Sequence, residues 1–145
     1  SVFKAKSADG SLIALKIAPR KSSRDDREHT NLLKINHPNV VKLLDFERTQ
    51  HGELRMVLEY VKGETLGTFL RRTGQCHPLF AIDITIQIAQ GLSAAHAKSS
   101  IHRDLKPSNI LVCDYDHQPI AKVIDFGVAK AQGWELSQEF ALVLL

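Results

Sequence analysis

His102-Arg103-Asp104-Leu105-Lys106-Pro107-Ser108-Asn109 sets a carboxylate, an ammonium and a side-chain amide within six positions of one another. Sixteen residues after Asn109 comes Asp125-Phe126-Gly127, a second carboxylate where a strand runs into a loop. Phosphoryl transfer uses such groups, because it demands positioning and charge neutralisation rather than covalent chemistry. Asp104 suits the task of orienting an acceptor hydroxyl and taking its proton, and Lys106 that of balancing charge on the moving phosphoryl group. Asn109 and Asp125 offer an amide oxygen and a carboxylate, the hard ligands that magnesium takes. Far upstream, Lys16 shares one face of a strand pattern with Leu12 and Ala14, an unusual setting for an ammonium.

The elements that must position these groups are legible from hydrophobic period and turn residues. Val2 to Lys6 and Leu12 to Ile17 alternate on either side of Ala8-Asp9-Gly10-Ser11, a hairpin signal. Pro19 to Ser23 breaks the second strand. Ser23 with Asp26 resembles a capping box opening a helix of about a dozen residues. Leu32, Leu33 and Ile35 give that helix an apolar edge, and Asn36-His37-Pro38-Asn39 closes it. Two strands follow, Val40 to Phe46 and Leu54 to Val61, joined by a polar turn at Gly52. From Thr65 to Gly74 the period becomes helical. Pro78 opens a longer helix reaching about Lys98. Ile84, Ile88, Leu92 and Ala95 form one stripe of it and Ile82, Ile86 and Ala89 a second, which predicts burial around most of its circumference. After the polar loop at 102–109 come a strand at Ile110–Cys113, a turn at Asp114–Pro119 and a strand at Ala121–Ile124. The order predicts an α+β fold in two unequal lobes, connected at Glu59 to Gly63.

Composition narrows the function classes. A chain of 145 residues suits about one domain, and 43% apolar with 24% charged residues excludes a disordered or collagen-like chain. A net charge of +3 is too mild for a nucleic-acid binder, and the basic stretch Arg20 to Arg27 is interrupted by Asp25 and Asp26. Cys76 and Cys113 make no disulfide framework, and the composition is of an intracellular, cytoplasmic kind. A zinc site from Cys76, His77, Cys113 and His117 lacks paired C-x-x-C elements, and Cys113 reads more simply as a small buried strand residue. No uninterrupted apolar run approaches the ~18 residues of a membrane span, the Leu142–Leu145 ending is far shorter, and the start shows no secretory signal. The chain begins with Ser1 and its single methionine is Met56, so a piece of a longer or processed polypeptide is expected. Membrane attachment outside this segment is compatible with that expectation.

His102-Arg103-Asp104-Leu105 with Asn109, then Asp125-Phe126-Gly127, resembles two ordered signatures of the eukaryotic-type protein kinase family. Ile13-Ala14-Leu15-Lys16 resembles a third, the family's Val-Ala-Ile-Lys strand. The likeness covers about Val2 to Lys130. Lys106-Pro107 is similar to the Ser/Thr-specific branch, and His37-Pro38-Asn39-Val40-Val41 and Tyr60-Val61-Lys62-Gly63 look like bacterial members. The resemblance implies one partial kinase domain over 1–145. Its parts would be a small antiparallel-sheet N-lobe with one helix (about 1–58), a connector (59–63), a truncated, mainly helical C-lobe (64–130) and an atypical tail (131–145). It implies ATP and Mg2+, and a protein substrate with a Ser or Thr acceptor. By the same likeness Lys16 holds the α- and β-phosphates and Glu28 pairs with Lys16. Leu58 is the gatekeeper, the backbones of Glu59 and Val61 meet the adenine edge, and Val2, Ala14 and Leu111 sandwich its ring. Asp104, Lys106 and Asn109 carry the chemistry, and Asn109 and Asp125 hold the metal. Leu32, Leu43, His102 and Phe126 form a stacked spine, with His102 structural rather than a base, and Arg103 would be the partner of an activation-loop phosphate.

Three departures temper the implied activity. No Gly-x-Gly-x-x-Gly precedes Val2, so weaker ATP binding is expected. Lys16 and Glu28 are 12 residues apart, shorter than is usual for the family. The chain ends 18 residues after Gly127 without an Ala-Pro-Glu motif. Helix packing partners would then be missing, and a few hundred Å² of bare apolar surface costs several kcal/mol at about 25 cal/mol per Å². A Ser/Thr kinase piece, weakly active or inactive alone, is therefore the expectation, with a non-catalytic kinase-like binding module as the alternative. A small-molecule phosphotransferase such as an aminoglycoside kinase fits less well, because Lys106-Pro107 is foreign to its loop.

Overall fold

Asp9 organises the first turn. Its Oδ1 accepts the Ser11 backbone N–H at 2.9 Å, the Ser11 hydroxyl at 2.7 Å and the Ser7 hydroxyl. These bonds, Ser7's foremost, pull the carboxyl down to about 2. Gly10 beside it takes φ +86°, as the tight turn requires. The turn joins β1 (Val2–Lys6) to β2 (Leu12–Ala18), with β4 (Leu54–Glu59) and then β3 (Leu43–Arg48) completing an antiparallel sheet of order β1-β2-β4-β3. In this computed structural model residues 1–18, 25–115 and 118–126 are described. The expected break and cap at Pro19–Ser23, Gly127 and the 131–145 tail lie outside them. Helix α1 (Asp25–Leu33) packs against β3, with His29 against the Phe46 ring at 5.4 Å.

The second lobe begins at β5 (Glu64–Thr65), a two-residue strand too short to show any period in the sequence. Thr65 then caps α2 (Leu66–Thr73), accepting the Thr68 N–H at 3.1 Å, and Gly74 ends it at φ +72°. The His77 ring caps α3 (Pro78–His96) by accepting the Leu79 N–H. A 3₁₀ turn at Pro107–Asn109 leads into β6 (Ile110–Tyr115), which pairs with β5 on one side and β7 (Gln118–Val123) on the other. This last hairpin is tighter than expected: Asp114 and Pro119 stay in register, and only residues 116–117 separate the strands.

Val40 and Val41 correct the strand expected from Val40. They leave the N-lobe sheet and join the other lobe: Val40 forms a parallel bridge with Val123, and the Val41 N–H donates to the Val123 carbonyl at 2.9 Å. Asn39 is the anchor. Its Nδ2 donates to Ala121 O at 2.9 Å and to Gln87 Oε1 at 3.0 Å, and its carbonyl accepts the Val123 N–H at 2.9 Å. Gln87 on α3 completes the set, accepting the Ala121 N–H and donating to Pro119 O. Buried polar groups need such partners, and here each supplies the other's. One apolar cluster consequently runs through both lobes, with Leu32, Ile35, Val40, Leu43 and Met56 packed with Ala95, Val123 and Phe126.

Helix α3 also departs from expectation. Ile84, Gly91 and Ala95 are buried, but Ile82 and Ile86 of the second stripe are 56% and 51% exposed. Among the described residues the buried face of α3 meets β7, Asn39 and the cluster of Ile110 and Val112 on β6, and Phe80 near its start stacks on Phe69 of α2 at 4.8 Å. By length and composition α3 could span a bilayer, yet its buried face is committed to β7.

Gly91 permits the close approach of α3 to Asn39. A Cβ there would lie 2.7 Å from Asn39 O, a backbone atom that cannot swing aside. Gly→Ala inside a helix ordinarily gains about 1 kcal/mol. Overpacking of about 1–3 kcal/mol outweighs it here. Gly91→Ala should therefore lower Tm by several degrees, while Ala at the exposed neighbour Ser93 should leave it unchanged or slightly raised. Thermal melts of the two variants check this.

Candidate active site

Lys16 stands mid-strand on β2, in register with Val2 on β1 and Met56 on β4. Its side chain is only 11% exposed, so its charge requires a partner. That partner is Asp125, whose Oδ1 accepts from Nζ at 2.5 Å across 109 positions of sequence. The carboxylate is aimed by an uncommon backbone: Asp125 sits at φ +63°, a left-handed conformation that Asp tolerates better than most residues. The Glu28 side chain, the partner implied by resemblance, lies outside the described residues.

The 102–109 loop is held from within. The His102 ring is buried and its two nitrogens are both engaged by backbone: Nε2–H donates to Ile124 O at 2.7 Å, and Nδ1 accepts the Asp104 N–H at 3.2 Å. The ring also meets Phe126 edge-on at 4.8 Å. Its tautomer is thereby fixed and its role is to hold the loop, as the sequence reading expects. Arg103, between His102 and Asp104, takes a left-handed φ of +66°.

Asp104, Lys106 and Asn109 come together. Lys106 Nζ lies 3.1 Å from Asp104 Oδ2, and Asn109 Nδ2 donates to Asp104 O at 2.8 Å and to Oδ2 at 3.2 Å. With its amide nitrogen so used, Asn109 has Oδ1 left for a cation. Its backbone carbonyl accepts the Ile124 N–H at 3.0 Å, which sets Asp125 one residue beyond that bond. An amide oxygen and a carboxylate at such neighbouring positions fit magnesium, which commonly takes one or two protein ligands and fills its shell with water and phosphate oxygens. Among the described residues no three His, Cys, Asp or Glu side chains gather at one point, and His117 lies outside them.

Lys16, Leu32, Leu43, Leu58, Asp125 and Phe126 line one pocket between the lobes. The expected spine is thus assembled, with Leu32, Leu43 and Phe126 in one cluster and His102 against Phe126. Ala14 lies across from Leu58 in register. Val2 is exposed on β1, Val61 follows β4, and Leu111 is half-buried on β6. Glu59 makes contacts beyond the backbone role that the resemblance implies. Its backbone N–H is committed to Lys42 O at 3.0 Å, and its side chain accepts Lys122 Nζ at 2.7 Å. The sequence reading passed over that side chain, and over Lys122, Asn39 and Gln87. The alternation of buried Ala121 and Val123 around Lys122 was the available signal. Cys113 is half-buried on β6, where burial pushes its thiol pKa upward.

Comparison with known proteins agrees with this arrangement. The protein kinase domain family model matches residues 1–140. Serine/threonine-protein kinase pkn3 of Myxococcus xanthus is 39% identical over 112 residues, covering 77% of this chain and 20% of the relative. PknA of Mycobacterium tuberculosis is 35% identical over 133 residues, covering 84% of this chain and 30% of the relative. The chain thus spans less than a third of the length of either. The crystal structure of Rad53 1–466 in complex with AMP-PNP superposes with a TM-score of 0.78 at 35% identity, covering 87% of this chain and 34% of that one. With a two-lobed fold, an ordered set of motifs and a family match over nearly its whole length, the chain belongs to the protein kinase domain family, among relatives that are Ser/Thr kinases and mostly bacterial.

Proposed function

We propose that this chain carries the phosphoryl-transfer machinery of an ATP-dependent serine/threonine protein kinase. The observation that carries the reading is the linkage of its two carboxylates. Asp104 is held with Lys106 and Asn109, and Asn109 is one backbone hydrogen bond from the residue preceding Asp125. The similarity to a structure solved with AMP-PNP supports ATP as donor.

The residues divide the work by charge. Lys16 and Asp125 satisfy each other here, and a nucleotide phosphate offers Lys16 an equivalent partner, freeing the Asp125 carboxylate for a cation. Asn109 Oδ1 and Asp125 would hold Mg2+, whose contribution is to neutralise charge on the phosphates. Asp104, 37% exposed at its side chain, is open to an incoming hydroxyl, which it orients and from which it takes the proton. Lys106 beside it offers positive charge to the group in transit. The Glu59 N–H is committed to Lys42, and its carbonyl is the backbone group that would accept from an adenine amino group. Ala14 and Leu58 offer that ring an apolar wall.

Phosphate transfer to Ser or Thr of a basic protein substrate, with Mg-ATP as donor, is the test. Asp104→Asn should lower kcat by about 10²–10⁴ with little change in nucleotide affinity, since it removes a base and leaves the nucleotide contacts intact. Asp125→Asn should act differently, weakening the dependence of nucleotide binding on Mg2+, as followed by titration of a fluorescent ATP analogue with and without EDTA. Nucleotide binding without any transfer by the unaltered chain would favour the non-catalytic binding module instead.

A further inference from the structure

The start of the connector is fastened by a side chain. Glu59, the last residue of β4, accepts Lys122 Nζ at 2.7 Å and the Lys42 backbone N–H at 3.0 Å, both on Oε1, while its own N–H donates to the Lys42 carbonyl at 3.0 Å. Lys122 stands on β7 between the wholly buried Ala121 and Val123. Lys42 directly follows the Asn39–Val41 segment stitched to β7. A single carboxylate oxygen therefore joins three stretches of chain: the approach to β3, the end of β4 and the C-lobe hairpin.

Its setting gives this contact leverage. The two side chains are 18% and 32% exposed, so the pair is sheltered from full screening yet not stripped of water. At the other end of the connector Gly63 lies tight against β6, where a Cβ would fall 2.4 Å from Val112 O, and Glu64 beside it pairs with Val112 in the β5–β6 ladder. One end is thus a rigid backbone contact and the other a polar contact that can open. Rotation of one lobe against the other about residues 59–63 must stretch the Glu59–Lys122 pair, because its members belong to different lobes.

We propose that Glu59 and Lys122 are positioning residues that set the angle between the lobes and so the rate at which the cleft between Lys16 and Asp104 opens to nucleotide. The part concerning nucleotide rests on the kinase reading above; the clamp itself does not. Glu59→Gln keeps an acceptor for the Lys42 N–H and removes the charge, and Lys122→Met keeps the length and removes the cation. Both are near-isosteric, so either serves should the other fail to fold.

The experiment is amide hydrogen exchange of the whole chain, with stopped-flow release of a fluorescent ATP analogue. Each variant should raise exchange of the Glu59 amide, which donates to Lys42 O, about tenfold and speed nucleotide release several-fold, leaving exchange in the 102–109 loop unchanged. The double variant should match the single ones, because both remove one shared interaction. High salt should shift the unaltered chain in the same direction. Unchanged exchange of the Glu59 amide in both single variants would overturn the proposal, as would additive effects in the double variant. A chain that binds no nucleotide would count against the kinase reading, and the exchange pattern would still decide the clamp.

Discussion

Asn39 is the residue on which the relation between the two lobes depends. Its side chain and carbonyl are spent on β7 and on Gln87 of α3, and no side chain on Gly91 keeps them apart. This fixes the short segment between α1 and β3 to the C-lobe. The consequences reach the cleft in both directions. Ile35, Val40 and Leu43 are drawn into the cluster that contains Phe126, and Leu32 of α1 comes with them. Lys16 of one lobe then meets Asp125 of the other.

The site built on this frame keeps its charges paired. Lys16 with Asp125 and Lys106 with Asp104 each bring a cation to a carboxylate, and both pairs are part-buried. An unpartnered charge so placed would be costly. A ligand able to replace each partner with another of the same sign therefore enters without leaving a buried charge bare. Backbone strain supports the arrangement: Arg103 and Asp125 both adopt left-handed φ values, and His102 links their neighbourhoods through Asp104 N–H and Ile124 O. The loop geometry persists because surrounding contacts over-determine it.

Much of this was readable in the residues. Asp104, Lys106, Asn109 and Asp125 announce themselves because polar groups crowd a short stretch at a strand end, and Lys16 because it interrupts an apolar face. The first hairpin follows from Asp9-Gly10 and the start of α3 from Pro78. Other features were hidden for physical reasons. Val40 and Val41 suit any strand, and nothing local says that they bridge to β7 instead of extending β3. The second stripe of α3 is apolar whether or not a partner covers it. Glu59 was read for its backbone alone: the alternation around Lys122 marks a cation on an otherwise apolar strand, but nothing local names its partner 63 positions away.

The Val40–Val123 bridge also has a temporal meaning. Its halves are 83 positions apart, so at about 5–20 residues per second a ribosome makes the first some 4–17 s before the second. Over that interval β1 to β4 exist without the anchor that fixes the approach to β3, and β3 is the edge of their sheet. Unpaired edges invite association with other chains. Charged Asp45 and Glu47 on β3, with Arg55 beside Glu47 on β4, make this edge a poor template for a neighbour during the wait. The nascent chain is thus guarded by the surface of a strand whose final place is decided only when β7 emerges.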